Sequence, residues 1–152
     1  MPRLKDQLRA DLTTAMKARD DTRIRTLRMA LTAISTEEVS GSAAHDLTDE
    51  QIIKILTREA KRRREAATAF AEAGRAGQAA AEEAEEEVLT SYLPAQLDDT
   101  ELAALVAAAI EETGASGPAG IGPVMKVVTP QVAGRADGSR VAAMVRSQLA
   151  AG

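Results

Sequence analysis

Apolar residues recur along this chain at helical spacing, and nowhere do they convincingly show the alternation of a strand. Leu4, Leu8, Leu12 and Met16 repeat every four residues and predict one apolar stripe on a first helix. Asp20-Asp21-Thr22 supplies side-chain oxygens able to cap a second. There Ile24, Leu27, Leu31 and Ile34 follow a 3-4-3 spacing, close to a coiled-coil seam. The pattern fades near Val39, where Ser40-Gly41-Ser42 breaks it. Thr48 with Gln51 three residues on forms a capping box and opens a third helix. Its inner face is Ile52, Leu56, Ala60, Ala67 and Phe70. Gly74-Arg75-Ala76-Gly77 ends it, because glycine accepts the left-handed conformation there.

A helix over about 78–92 comes next, with Ala81, Ala84, Val88 and Tyr92 facing inward. Pro94 stops it, since proline disfavours helical geometry in the residue before it. Asp98 and Glu101 make a second capping box. The helix they open carries Leu102, Leu105, Val106 and Ile110 and stops at Gly114. After a joint rich in Gly, Pro and Ser, a helix runs from Pro118 or Gly122 to Ala133, with Pro130 inside it. Gly134-Arg135-Ala136-Asp137-Gly138 is a tight turn. Asp137 is a candidate cap for the last helix, which buries Val141, Met144, Val145 and Leu149. The expected fold is all-α, about seven helices divided at Pro94-Ala95-Gln96. That division gives an N-terminal bundle of long helices, 1–94, and a small three-helix domain, 95–152.

Composition narrows the chemistry. Phe70 and Tyr92 are the only aromatic residues, which argues against a β-sandwich core and against an aromatic platform for single-stranded RNA. There is no cysteine, so disulfides, thiolate metal sites and cysteine nucleophiles are excluded. A single histidine, His45, rules out a polyhistidine centre. It sits in a polar loop beside Ser42 and Asp46, poor surroundings for a catalytic set. No phosphate-cradling glycine loop is present. No catalytic residue, metal site or cofactor is therefore assigned. Glu82–Glu87 reads as a solvated helix face, since an oxygen-only metal site needs carboxylates converging from separate turns. With no long apolar run and a charged start, the expectation is a soluble cytoplasmic protein that does not enter a membrane.

The net charge of -4 hides an uneven distribution. Residues 1–64 carry a balance of +4, and residues 65–100 one of -8. Lys54, Arg58, Lys61, Arg62 and Glu65 fall within about 100° of one another around a helix, and Arg63 and Arg64 are read as widening the stripe. Two readings stand. The stripe tracks the phosphates of a nucleic acid, or it is neutralised by Glu59 at i+3 and i+4 spacing and by the acidic flank of the next helix. Arg28 lies near the seam of the second helix, which predicts partial burial with a carboxylate partner. Lys126, Arg135 and Arg140 are the cations near the C-terminal turns, where free N–H groups at Gly138 offer either a phosphate contact or a plain turn.

The order of these segments resembles the GatB/YqeY family, with the length and start of its free-standing YqeY-like members. The matching stretches begin with Leu4-Lys5-Asp6-Gln7-Leu8, Met16-Lys17-Ala18-Arg19-Asp20 and Thr26-Leu27-Arg28-Met29. Leu47-Thr48-Asp49-Glu50 and Lys61-Arg62-Arg63-Arg64-Glu65 follow. The last are Tyr92-Leu93-Pro94-Ala95-Gln96-Leu97, Gly122 with Val124-Met125-Lys126, and Gly134-Arg135-Ala136-Asp137-Gly138. Pro118, Gly120 and Pro123 depart from it, standing where the family usually has polar helix formers.

The resemblance implies a bundle followed by a three-helix tail. It also implies kinship with the tail of GatB, one component of the tRNA-dependent amidotransferase. That enzyme amidates Glu-tRNA(Gln) or Asp-tRNA(Asn) with glutamine and ATP, and its helical and tail regions help hold the tRNA. No catalytic residue carries over. The expectation is a non-catalytic tRNA- or RNA-associated accessory protein, contacting phosphates through Lys54, Arg58, Lys61, Arg62, Lys126 and Arg135. The alternatives are an adaptor for amidotransferase or aminoacyl-tRNA synthetase components, or a carbon–nitrogen ligase using glutamine as amide donor.

Overall fold

Leu8 and Ala15 anchor the first helix, α1 (Arg3–Ala18), to its neighbours. The computed structural model describes residues 3–151. Met16, expected on the stripe, is 47% exposed. A four-residue repeat advances about 40° per step around a helix, so the two steps from Leu8 carry Met16 about 80° off the face that Leu8 occupies. Ala15, seven residues from Leu8, returns to within about 20° of it. After α1, Arg19 takes a left-handed conformation (φ 56°), and Asp20 caps α2 (Asp21–Glu38) by accepting from the Arg23 N–H at 3.2 Å. Leu27, Ala30 and Ile34 are fully buried on α2, with Ile24 and Leu31 packed at the margin.

The capping box of Thr48 and Gln51 is formed in both directions, at 2.9 and 3.2 Å, and starts α3 (Asp49–Glu72). Gly74, at φ 75°, turns the chain into α4 (Ala76–Thr90). These two helices form a long hairpin. Its far end is closed by the small residues Ala67 and Ala79, which are buried outside the main apolar cluster. Ala81 is exposed there, contrary to the pattern, and α4 instead buries Ala79, Glu85, Val88 and Leu89.

Tyr92 follows α4 and donates its hydroxyl to Asp11 Oδ2 at 2.5 Å. Burial, and then this hydrogen bond, push its phenol well above the ordinary value of about 10. The stability that the protonated phenol supplies is whole below about pH 10 and is lost as pH rises toward its folded-state value. Alkaline urea titrations of the wild type are therefore expected to show falling stability above about pH 10, with a flatter profile for Tyr92→Phe. Parallel profiles for the two proteins would contradict this.

The contacts divide the chain into two compact units between Leu93 and Pro94. The first contains α1–α4. In the second, Asp98 and Glu101 complete a capping box at the start of α5 (Asp99–Thr113), and Gly114 ends it at φ 66°. A 3₁₀ turn, Pro118–Gly120, leads into α6 (Ile121–Val132), which keeps Pro130 inside it. A β-carbon on Gly120 would lie 2.8 Å from that of Ala115, so this close approach requires glycine. The last helix, α7 (Gly138–Ala151), completes a core of Leu102, Val106, Val124, Val128, Val141 and Val145. The described residues form seven α-helices and contain no strand. No described helix is long and apolar enough to cross a membrane.

Candidate functional site

The basic run of α3 divides by helix geometry. Lys54, Arg58 and Arg62 follow one another at four-residue intervals and are all exposed, as is Arg64 on the other flank. Each interval is a rise of about 6 Å along the axis. Lys61 lies between them, partly buried. Arg62 reaches Glu59 only loosely, at 3.5 Å, and its side chain stays 64% exposed.

Arg63 corrects the reading that it widens the stripe. Nine residues from Lys54, it points about 180° away from it, into the protein. Its side chain is 10% exposed. Nη1 donates to Glu59 Oε2 at 2.8 Å, Nη2 meets the Met29 sulfur, and Nε lies 3.7 Å from Glu85 Oε2. That last separation is an ion pair too long for a hydrogen bond, and Arg63 Nε has no hydrogen-bond partner. The second oxygen of Glu85 accepts from Arg25 Nε at 2.8 Å. This bond and its charge hold the Arg25 guanidinium pKa above its ordinary value. Glu85 of the acidic helix thus serves both Arg63 and Arg25, while Lys54, Arg58 and Arg62 stay exposed. Arg28, expected to be partly buried with a carboxylate, is exposed, and Arg25 makes that contact instead.

Lys54 and Arg58 also line a cleft of about 270 Å³. Gln51 and Ile55 join them from α3, Glu37 comes from the end of α2, and His45 and Leu47 from the loop between. The loop is held there by the His45 N–H, which donates to Glu38 O at 3.0 Å. Glu38 is itself fixed by Lys5 Nζ, 2.7 Å from Oε2, in a pair screened from most solvent. The Leu4 N–H donates to Asp49 Oδ1 at 3.2 Å, tying the start of α1 to the start of α3. Leu47 and Ile55 are buried and form an apolar floor. Sequence spacing points to Lys54 and Arg58 alone, because Glu37, His45 and Leu47 approach them only through the return of the loop.

In the second unit Lys126 is exposed on α6. Arg135 has a scaffold role as well: its Nε donates to Ala95 O at 3.1 Å, and its carbonyl accepts from the Leu97 N–H at 2.8 Å. Arg140 is occupied with Asp99 at 2.8 Å and Leu97 O at 2.8 Å. Near Gly138, Asp137 Oδ1 accepts from the Ser139 N–H at 3.4 Å, so one of the N–H groups considered for phosphate already faces a carboxylate. Among the described residues, no group of three or more His, Asp or Glu side chains is arranged to hold a metal ion.

No curated protein sequence matches this chain. A family model described as Yqey-like protein matches residues 5–149, nearly its whole length, and reaches into every helix described above. The capping boxes, the exposed basic helix and the glycine turns all lie within that match, and the chain belongs to the YqeY-like protein family.

Proposed function

We propose that this protein is an accessory factor that holds RNA, with tRNA the class implied by kinship to the amidotransferase tail. It would act in the cytoplasm and perform no bond chemistry of its own. The observation that carries the reading is the row of Lys54, Arg58 and Arg62, exposed one turn apart on α3, while Glu85 of the acidic helix is paired with Arg63 and Arg25. Cations so arranged displace counterions from a phosphate backbone, a gain that needs no aromatic stacking. The two compact units are read as a bundle of long helices, 1–94, and a tail-like three-helix domain, 95–152, which offers Lys126 and Arg135 as a second contact.

The test is a tRNA titration at two salt concentrations. With about four phosphates neutralised, affinity should fall roughly a hundredfold between about 50 and about 200 mM salt. Arg58→Glu with Arg62→Glu should weaken binding and flatten that dependence. Equal binding by variant and wild type would remove the α3 face as the contact.

The adaptor reading rests on a different surface. Leu31, Thr32, Ser35, Thr36 and Val39 line an open hollow on the outer side of α2, and Val39 is 65% exposed. Recovery of an amidotransferase or synthetase component from nuclease-treated lysate, lost with Val39→Asp, would favour it over RNA.

A further inference from the structure

The cleft at the start of α3 has a chemistry that a stripe of cations lacks. Two positive groups from α3, Lys54 and Arg58, share it with one carboxylate, Glu37. A bare anion would gain from the first two and be repelled by the third. The lining suits a ligand that is anionic at one end and rich in hydrogen-bond donors at the other. His45 and Gln51 also line it, and Gln51 Oε1 is already taken by the Thr48 N–H, leaving its NH₂ to donate. Planar guanidinium and imidazole groups are surfaces on which a nucleobase can stack. At about 270 Å³ the space falls just under the usual range of small-ligand sites, about 300–1,000 Å³, which limits it to one small body and excludes a duplex.

We propose that this cleft holds a single unpaired nucleotide, its phosphate on Lys54 and Arg58 and its donor groups toward Glu37. The proposal rests on the RNA reading for its occupant and deepens it. The backbone of an RNA would run along the α3 face while one flipped-out or terminal nucleotide enters the cleft. A free mononucleotide carries the same chemistry.

His45 is the only histidine in the chain, so its imidazole gives a unique proton signal inside the cleft. The full-length protein, in phosphate-free buffer at constant ionic strength, is titrated with cytidine or adenosine 5′-monophosphate, with inorganic phosphate, and with a short single-stranded oligoribonucleotide. The mononucleotides and the oligoribonucleotide should move the His45 signal saturably. Lys54→Glu with Arg58→Glu should weaken both by about tenfold or more, with helicity unchanged. Glu37→Gln should weaken the mononucleotide several-fold while tightening inorganic phosphate. A merely cationic spot would tighten both, and that result overturns the proposal.

An unmoved His45 signal with every probe also overturns it. If RNA still binds in an Arg62-dependent way, only the cleft assignment falls. Movement by mononucleotide, in a protein that binds no RNA, supports the cleft as a free-nucleotide site and removes the RNA reading.

Discussion

Replacing Glu85 with alanine should cost about 3 kcal/mol of stability, measured by urea denaturation. Glu85 stands between two arginines. Arg25 is largely solvated, and water replaces its lost partner at little cost. Arg63 is nearly excluded from solvent, and its Nε already lacks a hydrogen-bond partner. Without the Glu85 charge, only Glu59 remains to balance a buried guanidinium. Breaking a buried pair on one side typically costs about 3–5 kcal/mol, and the Glu59 contact keeps this case at the lower end. Exchanging Arg63 for methionine in the same protein should recover most of the loss, because an apolar side chain beside Met29 needs no charge partner. A loss below about 1 kcal/mol for Glu85→Ala would mean that water reaches Arg63 and the network is not buried.

Leu102→Ala should cost about 2–5 kcal/mol, the range for truncating a fully buried leucine. Leu102 is 0% exposed and packs among valines. Valine side chains are short and stiff at χ1, so they have little freedom to swing into the space left behind. A small helical unit has a narrow stability margin, which puts this loss within reach of unfolding it. Hydrogen exchange at the amides of α5–α7 would report the change. Protection equal to wild type in those helices would show that the cavity had collapsed.

Local signals are legible wherever the chemistry is local. Asp20, Thr48 and Asp98 cap their helices because a capping oxygen and its N–H target lie within three residues of each other. Gly114 ends α5 for an equally local reason, a positive φ that glycine adopts without strain. Spacing also finds Lys54, Arg58 and Arg62, which share one face of one helix. It fails at Met16, which the drift of a four-residue repeat carries off the buried face, and at Ala81, where burial depends on how a neighbouring helix crosses. It fails at Arg63 too, because a basic run looks like one patch although successive residues turn about 100° apart. The cleft is not legible, since its members come from α2, a loop and α3.

By itself, then, the order of residues determined that this chain is helical, where α2, α3 and α5 begin, and which family it belongs to. Those properties follow from backbone capping, 3.6-residue periodicity and motif order, each readable within a few turns. Tertiary packing alone decided which charges are spent inside the protein and which are left at its surface. Glu85 is 60 residues from Arg25 in the chain yet bonds to it, and only the folding of α4 against α2 and α3 brings it there. Charge pairing falls off with distance through space, so no count along the chain could have given Arg63 and Arg25 the same carboxylate.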